Sequence, residues 1–164
     1  MDRLDARKRS DIMSRIHSKD TTPERLVRRL LFAEGFRYRL HVRALPGVPD
    51  MVFPKHRAVI FVHGCFWHAH EGCARATVPS TNKEFWQAKL TRNRSRDREV
   101  RVALLESGWR VLTIWECACG KRTAHSLKRL VVDFLCNSER ICEEIDGQRL
   151  RAEQEKETND IEKH

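Results

Sequence analysis

The sequence has no long apolar run. Its longest stretch, built on Val59-Ile60-Phe61-Val62, falls far short of the roughly 20 consecutive apolar residues of a membrane-spanning helix, so no membrane segment is expected. The opening residues, MDRLDARKRSDIMSR, are charged and lack the apolar core of a secretory signal. The expected compartment is therefore the cytosol. No internal repeat is visible. Charged residues make up 34% and hydrophobic residues 40%, a globular balance that is neither disordered nor fibrous. A chain of 164 residues corresponds to about one domain. At that size it buries about two-thirds of its unfolded surface, so folding needs no disulfide framework.

Basic charge is in excess. Lys plus Arg number 32 and Asp plus Glu 23, a net charge of +9. Residues 138–164 hold nine acidic and five basic side chains, which leaves +13 on residues 1–137. So basic a body points to a polyanionic partner, most often nucleic acid; the plainer alternative is a solvated basic surface. The six cysteines (Cys65, Cys73, Cys117, Cys119, Cys136 and Cys142) read in a reducing cytosol as metal ligands or buried thiols rather than disulfides.

Residues 1–20 read as a flexible basic arm, 21–145 as the folded domain and 146–164 as a charged tail, disordered or marginally helical. A first helix starts near Thr22-Pro23, with Thr22 as cap and Pro23 in the first turn, and ends at Gly35. Alternation predicts strands at 36–40, 50–53, 57–63 and 109–115. Helical spacing predicts a long helix over Lys83–Ser107, closed by Gly108, and another over Ser126–Cys142. This order implies an α/β domain with a mixed β-sheet flanked by helices.

Between His63 and Cys73 lie three histidines and two cysteines within eleven residues. Thiolate and imidazole are the ligands of tetrahedral zinc. Cys65, Cys73 and either His68 or His70 supply three ligands, and Cys117 or Cys119 the fourth. A closed Cys₃His site is structural: it staples an irregular loop to a strand end. The alternative is a set of loop histidines beside free thiols.

Asp50 opens a strand after a Pro-Gly-Val-Pro turn, and His63 ends the next. In an antiparallel pair Asp50 lies near Val62–His63, where a carboxylate and the Val62 backbone carbonyl make oxygen ligands for Mg²⁺. Glu24 could add a further carboxylate, and a neutral histidine could take a proton from water. That combination suits metal-assisted phosphodiester hydrolysis. Each residue also has a plainer reading: Asp50 as a turn former, Glu24 as a helix-start acid, His63 as a strand-end histidine. Phe66, Trp67 and Trp86 stand among basic residues, as wedging aromatics do in DNA-binding proteins, although Trp86 could equally be packed in the core.

The segments Leu45–Asp50 (LPGVPD), Val59–His68 (VIFVHGCFWH), Glu84–Trp86 (EFW) and Trp109–Cys117 (WRVLTIWEC) resemble the very short patch repair (Vsr) endonucleases of bacteria. The resemblance runs from about Arg9 to Cys136. It implies a restriction-endonuclease-like core with structural Zn²⁺. It also implies a Mg²⁺-dependent nick 5′ to the T of a T:G mismatch left by 5-methylcytosine deamination. By the resemblance, Asp50 and the Val62 carbonyl hold Mg²⁺, Glu24 and His63 are active-site residues, His68 activates water and Asp97 orients it. The resemblance assigns zinc to Cys65, His70, Cys73 and Cys117, the mismatch wedge to Phe66, Trp67 and Trp86, and DNA-backbone contacts to Lys89 and Asn93. Its implied partners are mismatched double-stranded DNA and general mismatch-repair proteins. One nick needs one active site, so a monomer is expected. Two departures stand out: Val62 replaces a threonine of the family pattern, and the His70–Cys73 spacing is one residue longer.

Overall fold

The computed structural model describes residues 19–161, with side chains to Lys156. The basic arm expected over residues 1–20 thus falls almost wholly outside the described residues. Helix α1 spans Thr22–Ala33. The cap is Thr21, not Thr22: its hydroxyl accepts from the Glu24 N–H at 3.4 Å and donates to the Glu24 carboxylate at 2.9 Å. This reciprocal pair places Thr22 and Pro23 inside the first turn. Strands β1 (Arg39–Leu40), β2 (Met51–Phe53) and β3 (Ala58–His63) follow, then the long helix α2 over Lys83–Glu106 and strand β4 over Arg110–Trp115. The first strand is shorter than the alternation from Phe36 predicts, because only Arg39 and Leu40 pair with β2.

The last helical prediction needs correcting. Helix α3 spans Ala124–Cys136 and stops there, while Cys142–Ile145 forms a fifth strand, β5. Only Ile145 of β5 is buried, so this edge strand lacks the apolar alternation that announces a strand. The charged segment beyond it forms helix α4, Gly147–Ile161, and Leu150 of that helix is fully buried against the main core. One well-placed leucine anchors a helix that composition alone leaves without a core. Among the described residues no helix is long and apolar enough to cross a membrane.

The five strands lie in the order β1-β2-β3-β4-β5. The β1–β2 and β2–β3 pairs are antiparallel, and β3–β4 and β4–β5 are parallel. The sheet is mixed, as expected, and its alternation sorts side chains between two unequal faces. Met51, Phe53, Ile60, Leu112 and Ile114 join α1, α3 and α4 in the larger core. Val52, Val59 and Val111 meet Leu104 of α2 in a smaller one. Gly108, at φ +77°, ends α2 with its N–H on Leu105 O (2.9 Å) while Trp109 N–H reaches Leu104 O (3.0 Å), a left-handed stop that suits glycine.

Arg110 ties the end of α3 to the sheet. Its buried guanidinium donates to the carbonyls of His56, Phe134, Leu135, Asn137 and Arg140 at 2.7–3.3 Å. It thereby satisfies the carbonyls that a helix C-terminus leaves unpaired. Arg110→Met should lower the unfolding free energy by about 3 kcal/mol, because buried carbonyls lose a charged donor. Arg110→Lys should recover less than half of that loss, since a point charge cannot serve a forked set of acceptors. Urea denaturation of the three proteins measures both effects.

Candidate active site and metal cluster

The parallel register pairs His63 with Trp115. Cys65 and Cys117 each follow two residues later, so the two thiols leave the sheet at the same level. The loop after Cys65 folds back through hydrogen bonds from His68 N–H to Gly64 O (3.2 Å) and His70 N–H to Cys65 O (2.9 Å). Gly72, at φ +70° with open space around its α-carbon, makes the turn that accommodates the longer His70–Cys73 spacing. The ligand atoms of Cys65, His70, Cys73 and Cys117 all lie within 4.8 Å of one another. The structure thus brings together the four residues that the resemblance assigns to zinc and leaves His68 and Cys119 out of the set. Three sulfurs and an imidazole are the donors of a closed tetrahedral zinc site, so these residues could hold such an ion.

The surroundings suit that use. Burial pushes the Cys65 thiol up to about 12 and raises Cys117 as well, a state that a bound dication reverses. Gly147 N–H points at Cys117 Sγ from 3.3 Å, and a Cβ on Gly147 would lie 2.9 Å from the Cys117 carbonyl oxygen. His70 has Nδ1 3.6 Å from Cys117 Sγ and Nε2 3.4 Å from Asp146 Oδ2, the arrangement in which a carboxylate orients a metal-binding imidazole. Glu116 accepts from Cys65 N–H at 3.3 Å.

On the α2 side of the sheet lies a cleft of about 910 Å³. Asp50 enters it directly before β2, and Asp50 Oδ2 accepts the Val62 N–H at 2.7 Å, so the expected neighbours do meet. Burial raises the Asp50 carboxyl to about 7, against the lowering effect of the Val62 N–H and with the Glu24 carboxylate adding to the rise. A half-buried carboxylate held so high gains by accepting a cation, and an oxygen donor of this kind suits Mg²⁺. The Val62 side chain packs against the α1–α3 core, so valine in place of threonine leaves the main chain beside Asp50 in place.

Glu24 is 2% exposed and lines the same cleft. Its oxygens are already engaged by Thr21 Oγ1, Asp20 N–H (3.0 Å) and Arg28 Nη2 (2.9 Å). Its first task is therefore to cap α1, with its charge felt at Asp50.

His63 and His68 stack at 3.7 Å with 5° between planes. His68 Nδ1 lies 2.6 Å from Asp97 Oδ2. Burial, with His68 beside it, lowers His63 to about 3 and keeps it neutral. Burial tends to raise Asp97, but its bond to His68 and nearby cationic groups outweigh that and leave it lowered.

Phe66, Trp67 and Trp86 form one aromatic group, with ring centroids 5.1 Å apart for Phe66–Trp67, 5.3 Å for Phe66–Trp86 and 6.1 Å for Trp67–Trp86. Trp86 is only 8% exposed. Of the two readings of Trp86, its burial fits the packed one: it is the floor on which Phe66 and Trp67 rest, because it faces inward from α2. Phe85, next to it, is 56% exposed. Lys89 sets its ammonium 5.2 Å from the Trp67 ring and 5.6 Å from Trp86, and Asn93 donates to Trp67 O at 2.9 Å. Both thus hold the loop in place as well as lying beside it.

The residues that sequence reasoning passed over are Trp115, Glu116, Glu144 and Asp146. Trp115 and Glu116 stand inside the Trp109–Cys117 motif, which was the available signal. Glu144 and Asp146 lie in a stretch of ordinary surface composition and carry none.

Comparison with known proteins shows the family. The family model described as DNA mismatch endonuclease Vsr matches residues 1–75. The chain is similar to the Type II nicking enzyme V.XorIIP of Xanthomonas oryzae pv. oryzae, 47% identical over 116 residues that cover 71% of this chain and 85% of the relative. It is similar to the Type II nicking enzyme V.NmeAIP of Neisseria meningitidis, 46% identical over 110 residues, 67% of this chain and 78% of the relative. It is also similar to the DNA mismatch endonuclease Vsr of Escherichia coli, 42% identical over 131 residues, 78% of this chain and 83% of the relative.

The turn that delivers Asp50 is pinned to α2 at one point. Gly47 has φ +69°, and a Cβ there would lie 2.4 Å from Val100 Cγ1. Gly47→Ala is expected to destabilise the protein through that overlap and through left-handed strain of about 1–2 kcal/mol. Val100→Ala should relieve the overlap and leave the strain. Denaturation of the double variant should therefore show a loss smaller than the sum of the two single losses by about 1 kcal/mol or more.

Proposed function

The chain belongs to the Vsr family of DNA endonucleases, and from that membership we propose that it nicks one strand of duplex DNA 5′ to the T of a T:G mismatch produced by deamination of 5-methylcytosine. The observation that carries the reading is the meeting, in one cleft, of a half-buried carboxylate held by the Val62 N–H with a histidine pair backed by a carboxylate. A DNA-binding module without catalysis has no use for either.

Asp50 and the Val62 carbonyl are the groups proposed to hold Mg²⁺. When bound, the ion supplies positive charge against the phosphate and the leaving oxygen. His68 is the proposed base. Its Nδ1 is engaged by Asp97, so Nε2 is the nitrogen left to take a proton from water, and the Asp97 carboxylate stabilises the imidazolium that results. His63 stays neutral through burial and so does not oppose the charge that develops on the ring stacked against it. Phe66 and Trp67, backed by Trp86, are placed to wedge into the base stack, where a T:G pair is cheaper to open than a matched one. Lys89 and Asn93 hold that loop close to the backbone. Cys65, His70, Cys73 and Cys117 are proposed to bind structural Zn²⁺ and so keep the wedge loop rigid.

One active site per chain is enough for a single-strand nick, which fits a monomer, and the expected setting is the bacterial cytoplasm. General mismatch-repair proteins are candidate partners. The relatives named as Type II nicking enzymes favour a second reading, an enzyme that nicks within a restriction system and cuts matched duplexes too.

The test uses end-labelled duplexes that differ only by T:G or C:G at a cytosine-methylase site. The expected product is a nick 5′ to the mismatched T, absent from the C:G duplex and abolished by EDTA. Equal cutting of both duplexes would favour the second reading. Asp50→Ala should reduce nicking by at least about a hundredfold while mismatch binding persists, and normal turnover would remove Asp50 from the mechanism. Purified protein should carry one zinc per chain by elemental analysis. Cys73→Ala should lose it and become protease-sensitive within residues 64–73; an unchanged digestion pattern without zinc would refute the structural role.

A further inference from the structure

Four rings form a column across the end of the sheet. His68 stacks on His63 at 3.7 Å; His63 meets Trp115 edge-on at 5.5 Å and 75°; Trp115 stacks on His70 at 4.0 Å and 6°. The column links the imidazole held by Asp97 to the imidazole of the Cys/His cluster. Trp115 stands between His63 and His70 and belongs to neither set. It ends β4, and a flat ring at a strand end can tilt unless its N–H is fixed.

Glu144 fixes it. The Trp115 indole N–H donates to Glu144 Oε2 at 3.0 Å. The other Glu144 oxygen receives Arg101 Nη2 at 2.9 Å. Arg101 stands four residues after Asp97 on α2, on the same helix face. Glu144 therefore connects edge strand β5 to β4, whose Trp115 abuts His63, and to α2, which carries Asp97. It also lines a polar cavity of about 390 Å³ whose wall includes His63, His68 and Trp115.

We propose that Glu144 is a positioning residue for the hydrolysis: by holding the Trp115 indole it sets the plane of His63, and through His63 the plane of His68. This rests on the nicking function proposed above. The effect is on orientation, and small displacements of a catalytic group are costly in rate. Glu144 touches no reacting atom. It works through two rings, and β5 acquires a part in the chemistry performed on the other side of β4.

The full-length chain carrying Glu144→Leu or Glu144→Gln tests this. Gln keeps an oxygen for the indole N–H but loses the charge facing Arg101; Leu loses both. Glu144→Leu should lower kcat for nicking about tenfold, with the Kd for mismatched duplex within twofold and bound metal unchanged. Glu144→Gln should retain most of the turnover. A readout independent of activity is the long-range ¹H–¹⁵N spectrum of the imidazoles: Glu144→Leu should shift the His63 and His68 ring signals, and Glu144→Gln should leave them near the unsubstituted positions. Unmoved ring signals in Glu144→Leu would overturn the proposal. So would equal impairment by Gln and Leu, or a loss of turnover that follows a loss of metal. If the unsubstituted chain nicks no duplex, the nicking function fails, while the ring spectra still decide whether Glu144 holds His63.

Discussion

Parallel pairing of β3 with β4, in the register that sets His63 beside Trp115, is the constraint on which the rest of the site depends. It brings Cys65 and Cys117 out of the sheet at equal height, and so makes a four-residue ligand cluster possible from segments far apart in the chain. It places the Trp115 ring against both His63 and His70. Because β2 pairs with the other edge of β3, it also fixes Asp50 on the same face as the histidine pair. A slip of one residue would turn every one of these side chains to the opposite face.

The two faces of the sheet divide the work. The α1–α3–α4 face is a continuous apolar core, with Phe53, Phe134, Leu31 and Leu112 fully buried. The α2 face has few buried apolar residues and gives much of its area to the cleft. Stability is concentrated where no chemistry occurs. Polar groups that are costly to bury, such as Asp50 and His63, line the cleft rather than the apolar core. Arg110 extends the same economy to the start of β4: its charge is met by backbone carbonyls and needs no carboxylate.

Much of this was legible in the sequence, for identifiable reasons. Helix α1 shows clean apolar periodicity and β3 and β4 are short apolar runs, while the long α2 is marked by its length without a breaker, since only Trp86, Leu90 and Leu104 of it are buried. The density of histidine and cysteine between His63 and Cys73 marks a candidate metal site. The Pro-Gly-Val-Pro turn marks where a strand must begin. What was hidden depends on relations between distant segments. The choice of His70 over His68 is made by the fold of the loop, not by spacing. Trp86 turns inward because of what stands above it, which no local pattern reveals. Strand β5 carries glutamates on an exposed edge, and α4 is held by Leu150, so neither has the amphipathic signature of its class. Glu144 and Asp146 act through contacts with β4 and the 64–73 loop, and residue type alone gives no hint of that. Thr21, one residue before the expected cap, shows how little a boundary read from sequence is worth where two threonines are adjacent.

The burial of Trp86 beneath Phe66 and Trp67 has a consequence for discrimination. In the free protein these rings already satisfy one another by edge-to-face contacts. In the proposed wedging role, any base step they engage must therefore outbid an existing partner, not merely a layer of water. A well-stacked step would resist opening and gain little from the exchange, whereas a weakened one would give way. The aromatic cluster would in this sense be a built-in competitor, setting a threshold below which the rings remain with each other.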